Sequence, residues 1–245
     1  MLKRASLPTE GDVIEVGQTR VRLVVSRRAR RVSLRVDRRL GEVLAIAPSP
    51  HKLADAAAFA NERRRWIALR AAEMKAPVKL APGLEIAVFG EPCRLGRAPG
   101  RASLESERWE RGWRLAADAD EAAYARAIQQ IVRREAAHWF APRLSRHCAA
   151  LSVPVPRFSV ADARTRWGSC TPGDRRHPAS IRLSWRLALA PPDVADYVAA
   201  HECAHLLQPN HSARFWAEVR RLIGDERPHR AWLRANGPAL HAFGG

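Results

Sequence analysis

The chain has 245 residues, with 42 lysines and arginines against 25 acidic residues, a formal net charge of +17 and a pI near 11.3. Its 47% hydrophobic and 27% charged content is that of a soluble globular protein, and the absence of any apolar run of membrane-spanning length excludes a helical membrane protein. So large a positive excess favours polyanionic partners, nucleic acid or nucleotides among them. Cys93, Cys148, Cys170 and Cys203 lie far apart with no C-x-x-C pair, which reads as reduced thiols rather than a disulfide framework. Met1-Leu2-Lys3-Arg4-Ala5-Ser6 lacks the apolar core of a signal peptide, so the expected compartment is the cytoplasm.

Residues 12–48 alternate with period two through Ile14 and Val16, Val21 to Val25, Val32 to Val36, then Val43 and Ala45, which predicts a small antiparallel meander. Arg27, Arg28, Arg30 and Arg31 sit between its second and third strands. They read as a solvated hairpin end rather than a phosphate-binding edge, because this stretch holds no aromatic side chain to stack a base. Ser49-Pro50 is a helix start, and Leu53, Ala57, Ala60, Ile67 and Met74 carry helical spacing over 50–75. From Leu84 to Leu115 the period returns to two, which adds strands to a first domain ending near residue 117.

Asp118 and Asp120-Glu121 open a long helix through Tyr124, Ile128, Ile131, Trp139 and Leu144, in which Pro142 is expected to produce a kink or a split. His138 and His147 in it read as ordinary surface or packed residues. Arg157 to Asp162 alternates as a strand, and a hairpin is predicted from Arg166-Trp167-Gly168-Ser169-Cys170 across the turn-rich 171–179 to Ile181, Leu183 and Trp185. Phe215, Trp216, Val219, Leu222 and Ile223 define a later amphipathic helix, and Trp232-Leu233 a last short one.

Between them lies His201-Glu202-Cys203-Ala204-His205, with His211 after Leu206-Leu207-Gln208-Pro209-Asn210. Histidines four apart share one helix face, so both imidazoles can close on one ion while Glu202 sits beside it. Pro191-Pro192-Asp193 starts this helix and Pro209-Asn210 stops it, which lets His211 swing back as a third ligand and leaves the fourth position of a catalytic zinc open for water. The spacing also fits the metzincin string, but Gln208 stands at its glycine position. The only methionines, Met1 and Met74, lie upstream of where the methionine turn belongs.

Arg166-Trp167-Gly168-Ser169-Cys170, Asp196-Tyr197-Val198 running into the histidine motif, and Asn210-His211-Ser212 before Phe215-Trp216 together resemble the YgjP-like metallopeptidases, a compact zincin family related to the SprT-like proteases. The resemblance covers most of 120–237 and, more weakly, Ser26 to Val36 and the Trp66-Ile67 helix. It implies His201, His205 and His211 as zinc ligands and Glu202 as the catalytic base. Cys203 and the longer turn from Pro172 to Pro178 depart from the usual pattern without touching the ligands.

The expected architecture is α+β: a β-rich domain over 1–117 with helix 50–75 packed on it, then a zincin-like helical domain over 118–245 with a short antiparallel sheet. The expected function is hydrolysis assisted by one Zn²⁺, which lowers the pKa of water from 15.7 to about 7 while Glu202 accepts its proton. A peptide or unfolded protein is the first substrate class, and Arg166 would contact the substrate or its oxyanion. Two other readings are carried. In one, Arg164 and Arg166 bind phosphates and a nucleoside triphosphate is the scissile group. In the other, the zinc is a structural clip in a nucleic-acid-binding protein without turnover.

Overall fold

The computed structural model describes residues 7–37, 40–74, 76, 78–97, 105–109, 112–117, 120–163, 166–174 and 176–244. The chain divides into two compact units, one reaching to Val78 and the other covering Lys79–Gly244. An α+β fold results, with strands gathered early and helices late.

In the first unit, β1 (Val13–Val16), β2 (Thr19–Val25), β3 (Ser33–Asp37) and β4 (Glu42–Ala47) form a sheet of order β1-β2-β4-β3. This corrects the expected meander: β2 and β4 run parallel, with Val21 opposite Val43 and Val25 opposite Ala47, and among the described residues β3 pairs with β4 alone. Alternation fixes which face a side chain takes but not which strand becomes its neighbour. The helix expected over 50–75 is a 3-10 turn at Pro50–Lys52 followed by α1 (Leu53–Glu62) and α2 (Arg64–Ala72), with Arg63 off helical geometry at φ −94° and ψ 19° between them. Leu53, Ala56, Ala60 and Ile67 pack on Val16, Val21, Leu23, Val43, Ala45 and Ala47. Arg27, Arg28, Arg30 and Arg31 are exposed, as expected of solvated residues, but the β2–β3 connection that carries them is a crossover rather than the expected hairpin end, because β4 lies between the two strands.

In the second unit, β5 (Glu85–Val88), β6 (Glu91–Gly96), β7 (Glu105–Trp109) and β8 (Gly112–Ala116) repeat that topology, in the order β5-β6-β8-β7 with β6 and β8 parallel. The division expected at 117 therefore falls within this unit. Leu80, Ile86, Val88, Cys93, Leu95 and Leu115 share one core with Tyr124, Ile128, Phe140 and Val194 of the helices that follow. Both four-stranded sheets alternate alike, so period alone does not say which helix covers which.

The helix α3 (Glu121–Leu151) begins at Asp120, whose carboxylate accepts from the Ala123 N–H at 2.7 Å, and it continues through Pro142, so the split that was one expectation there does not occur. Phe140, Leu144, Cys148 and Leu151, on either side of Pro142, are buried in one core. Phe89, at the β5–β6 turn, stacks on Trp139 of α3 at 4.2 Å and donates its N–H to the Ala188 carbonyl at 2.6 Å. Gly90 beside it, at φ +81°, would place any Cβ only 3.1 Å from Pro192 Cδ. The hairpin tip thus fixes where the next helix, α4 (Pro192–Ala204), begins.

Before α4 come β9 (Arg157–Ala161), β10 (Gly168–Thr171) and β11 (Ser180–Ser184), in the order β10-β11-β9. The expected hairpin is β10 against β11, while β9 lies parallel to β11, so this sheet is mixed rather than antiparallel. Beyond α4, α5 (Ala213–Ile223) and α6 (Arg227–His241) complete the unit, and α6 is far longer than the short helix expected around Trp232.

A buried ion pair locks the end of β11. Arg186, 1% exposed, donates to the Asp162 carboxylate and, through Nη2, to the Phe243 carbonyl at 2.9 Å, while Trp185 Nε1 donates to the same carboxylate at 3.2 Å. Burial works against the Asp162 charge, but Arg186, Trp185 and Arg133 together hold its pKa below the ordinary 3.8. Asp162→Asn leaves the guanidinium buried without its counter-charge, an expected loss of about 3–5 kcal/mol at pH 7 in chemical denaturation. A depressed carboxylate contributes stability above its unfolded pKa and loses it as pH falls through the folded value. The gap between wild type and variant should therefore close below pH 3.8.

Candidate metal centre

The site is built on α4. Val194, Ala195, Val198, Ala199 and Cys203 bury one flank in the core, and the Cys203 sulfur lies 3.8 Å from that of Cys148, away from the histidines. His201 is in the last turn, and His205 follows as the helix C-cap, still in helical geometry at φ −67° and ψ −15°. The helix therefore ends at Ala204, ahead of the expected stop at Pro209-Asn210, and backbone bonds from Leu206 N to Cys203 O and from Gln208 N to Ala204 O continue the turn. The chain then doubles back and His211 Nε2 comes to 3.1 Å from His201 Nε2. One ligand nitrogen from each of His201, His205 and His211 falls within a span of 4.8 Å.

The rings are held from behind. His205 Nδ1 donates to the Gln208 carbonyl at 3.0 Å, and the Tyr197 hydroxyl lies 3.5 Å from His201 Nδ1, so in both rings Nε2 is the nitrogen left for the cluster. Phe215, fully buried, packs its ring 4.8, 4.4 and 4.8 Å from those of His201, His205 and His211. Ser212 holds Phe215 there by capping α5, its hydroxyl accepting from the Phe215 N–H at 3.3 Å. Trp216 flanks His201 and His211 at 5.8 Å, and the Arg230 guanidinium lies over the Trp216 ring, 4.6 Å from its centroid.

Burial, then the neighbouring His205, His211 and Arg230, push the His201 pKa down to about 3, and burial with His205 and Arg230 lowers that of His211. Both rings are thus neutral at physiological pH, the protonation state a metal ligand needs. Two nitrogens on a tetrahedral zinc at 2.0–2.1 Å lie about 3.3 Å apart, close to the observed separation of His201 and His211. The residues fit the ion.

A family model described as YgjP-like, metallopeptidase domain, matches residues 30–236, from the β2–β3 connection into α6. The chain belongs to the YgjP-like family. No curated protein and no solved structure matches significantly. Membership places this YgjP-like chain among metallopeptidase-like hydrolases. Among its described residues, His201, His205 and His211 form the group able to hold the metal such a hydrolase carries.

In this YgjP-like chain the histidines open onto a cleft of about 330 Å³, bordered by Arg166, by Gly168, Ser169 and Cys170 of β10, and by Glu202. Glu202 is 5% exposed; burial pushes its pKa up to about 7, against the pull of the Arg166 guanidinium. Arg166 is itself exposed at the cleft border, and Arg164 lies outside the described residues. Trp167 stacks on His241 of α6 at 4.4 Å and donor Ser184 N reaches its carbonyl at 2.8 Å, which pins the start of β10. Gly168 comes next and lies against Glu202: a Cβ there would stand 2.5 Å from Oε1 and 2.7 Å from Cγ.

Reading the sequence alone missed three of these parts. Phe215 and Tyr197 appeared there as apolar helix positions and Gly168 as part of a hairpin, all three within the motifs of the family resemblance, but none with a role at the site. The run from His211 through Ser212 to Phe215 held a usable signal, since a cap immediately after the third ligand fixes where the next helix points. His147, read as ordinary, is buried and bonds Asp196 at 2.8 Å, which ties α3 to α4 behind the site.

Proposed function

We propose that this chain is a zinc-dependent metallopeptidase that cleaves peptide bonds in extended or unfolded polypeptide. The observation that carries the reading is the convergence of three imidazole nitrogens beside a buried carboxylate in an open cleft. Zinc held by His201, His205 and His211 would polarise the scissile carbonyl and make water acidic enough to give up a proton near neutral pH.

The remaining work falls to the protein's own groups. Glu202 accepts a proton from the attacking water at its carboxylate. The water oxygen bonds to the carbonyl carbon, the C–N bond breaks, and Glu202 returns the proton to the leaving amine. Arg166, exposed at the cleft border, would orient the substrate carbonyl. Among the described residues β10 has β11 on one side and no strand on the other, and Gly168, Ser169 and Cys170 face the cleft. An extended peptide adds itself to such an edge through main-chain hydrogen bonds, bringing a peptide bond past Glu202.

His211→Ala tests the ligand set. Purified wild type is expected to carry one zinc per chain by elemental analysis and the variant well below that, with chelator-sensitive cleavage of unfolded casein lost in parallel. A variant that holds zinc as tightly as wild type would remove His211 from the centre.

A further inference from the structure

A second cleft of about 460 Å³ adjoins the first, and the proposed chemistry makes no use of it. Its apolar walls are Val153 and Val155 from the connection between α3 and β9, Pro172 and Pro178 from the β10–β11 turn, and Leu206, with Arg157, Asp174 and His177 also lining it. Pro172 borders both clefts, and Leu206 directly follows His205 in the chain. Pro172, Gly173, Asp174, His177 and Pro178 of the long turn, expected from the sequence to influence which substrates reach the site, form one wall of this space.

That wall is a built structure. The Asp174 carboxylate accepts from the N–H groups of Arg176 and His177 at 2.7 Å each, and Asp174 N donates to the His177 carbonyl at 2.9 Å. Arg157 N donates to the Ala179 carbonyl at 3.1 Å, joining the turn to the start of β9. Val155, opposite, leaves 54% of its surface to solvent. Pro172 has no N–H, so main-chain pairing with a bound peptide cannot continue past Thr171. Recognition beyond that point has to come from side chains.

We propose that this second cleft is a specificity subsite for a bulky apolar side chain (Leu, Ile, Met or Phe) of the polypeptide substrate, on the N-terminal side of the cleaved bond. The proposal rests on the metallopeptidase reading. Gly168, against Glu202, stands four residues before Pro172 along β10, about 13 Å at ~3.3 Å per residue. Antiparallel pairing is the more stable arrangement, and it makes the substrate run from C to N in that direction. The side chain that reaches the second cleft therefore comes three to five residues before the scissile bond, by the same ~3.3 Å spacing.

The test is to digest unfolded casein with zinc-loaded wild type and Val155→Glu and map the cleavage sites by mass spectrometry. Wild-type sites are expected to be enriched in Leu, Ile, Met and Phe at that distance on the N-terminal side, and the variant's sites are not. For a peptide taken from a mapped site, Val155→Glu should lower kcat/KM about tenfold to a hundredfold. A matched peptide with serine in place of the apolar residue should be cleaved equally by both enzymes, which also shows that the variant is folded. Identical cleavage patterns, or enrichment only on the C-terminal side, overturn the subsite and leave the peptidase standing. Absence of chelator-sensitive cleavage by wild type overturns both.

Discussion

Glu202→Gln is expected to lower peptide hydrolysis about 10²-fold to 10⁴-fold while zinc content stays that of wild type. Glutamine keeps the shape of the side chain but cannot accept a proton, and Glu202 is not one of the three groups whose nitrogens converge. The same variant carries a second, opposite readout. Burial raises the folded-state pKa from 4.5 to about 7, so the ionised form is what folding disfavours. A raised carboxyl contributes its stability below the unfolded value and loses it as pH rises through the folded one. Metal-free Glu202→Gln should therefore be more stable than metal-free wild type at pH 8, by roughly 3 kcal/mol, and the two should converge near pH 4. Denaturation of chelated protein at the two pH values measures it. An inactive variant with no gain in stability at pH 8 would separate the catalytic role from the burial cost and discard the latter.

Gly168→Ala should cost about 10²-fold or more in activity, the scale on which a displacement of about 1 Å at a reacting group is felt. The backbone at Gly168 is an ordinary strand and tolerates alanine, so the effect is not conformational. It comes from the added Cβ, which would lie 2.5, 2.7 and 2.8 Å from Oε1, Cγ and Cδ of Glu202. Trp167 stacked on His241 keeps β10 from retreating, and the buried flank of α4 keeps the helix in place. The carboxylate is what moves. Steady-state kinetics with zinc analysis and thermal unfolding separate this from misfolding: kcat falls while metal content and melting temperature hold. Full activity would show that Glu202 does its work from some other rotamer.

These two residues illustrate different kinds of legibility. Glu202 was identifiable because a helix repeats every 3.6 residues, so His201, Glu202 and His205 have fixed relative directions before any tertiary contact forms. Gly168 was not, because its meaning depends on a helix 34 residues downstream packing within van der Waals reach of it. The same division runs through the fold. Local alternation located β1 to β5, β8, β9 and β11, and helical spacing located α1 to α5, yet the parallel pairings of β2 with β4 and β6 with β8 depend on connections that alternation does not encode. The boundary expected at residue 117 has the same origin: a core shared by β5, β6, β8 and α3 is a property of contact, not of composition.

By itself the sequence determined the helix, the spacing of His201, His205 and His211, the place of Glu202 between them, and a family resemblance that residues 30–236 bear out. Only the tertiary structure decided that His211 turns back to 3.1 Å from His201, that Phe215 and the Gln208 carbonyl fix the rings, and that burial carries Glu202 to about 7. The physical reason is range. Helical phase is set by neighbours a few residues apart, whereas ring orientation, solvent exclusion and the meeting of two clefts at Pro172 arise only when distant segments of chain are packed against one another.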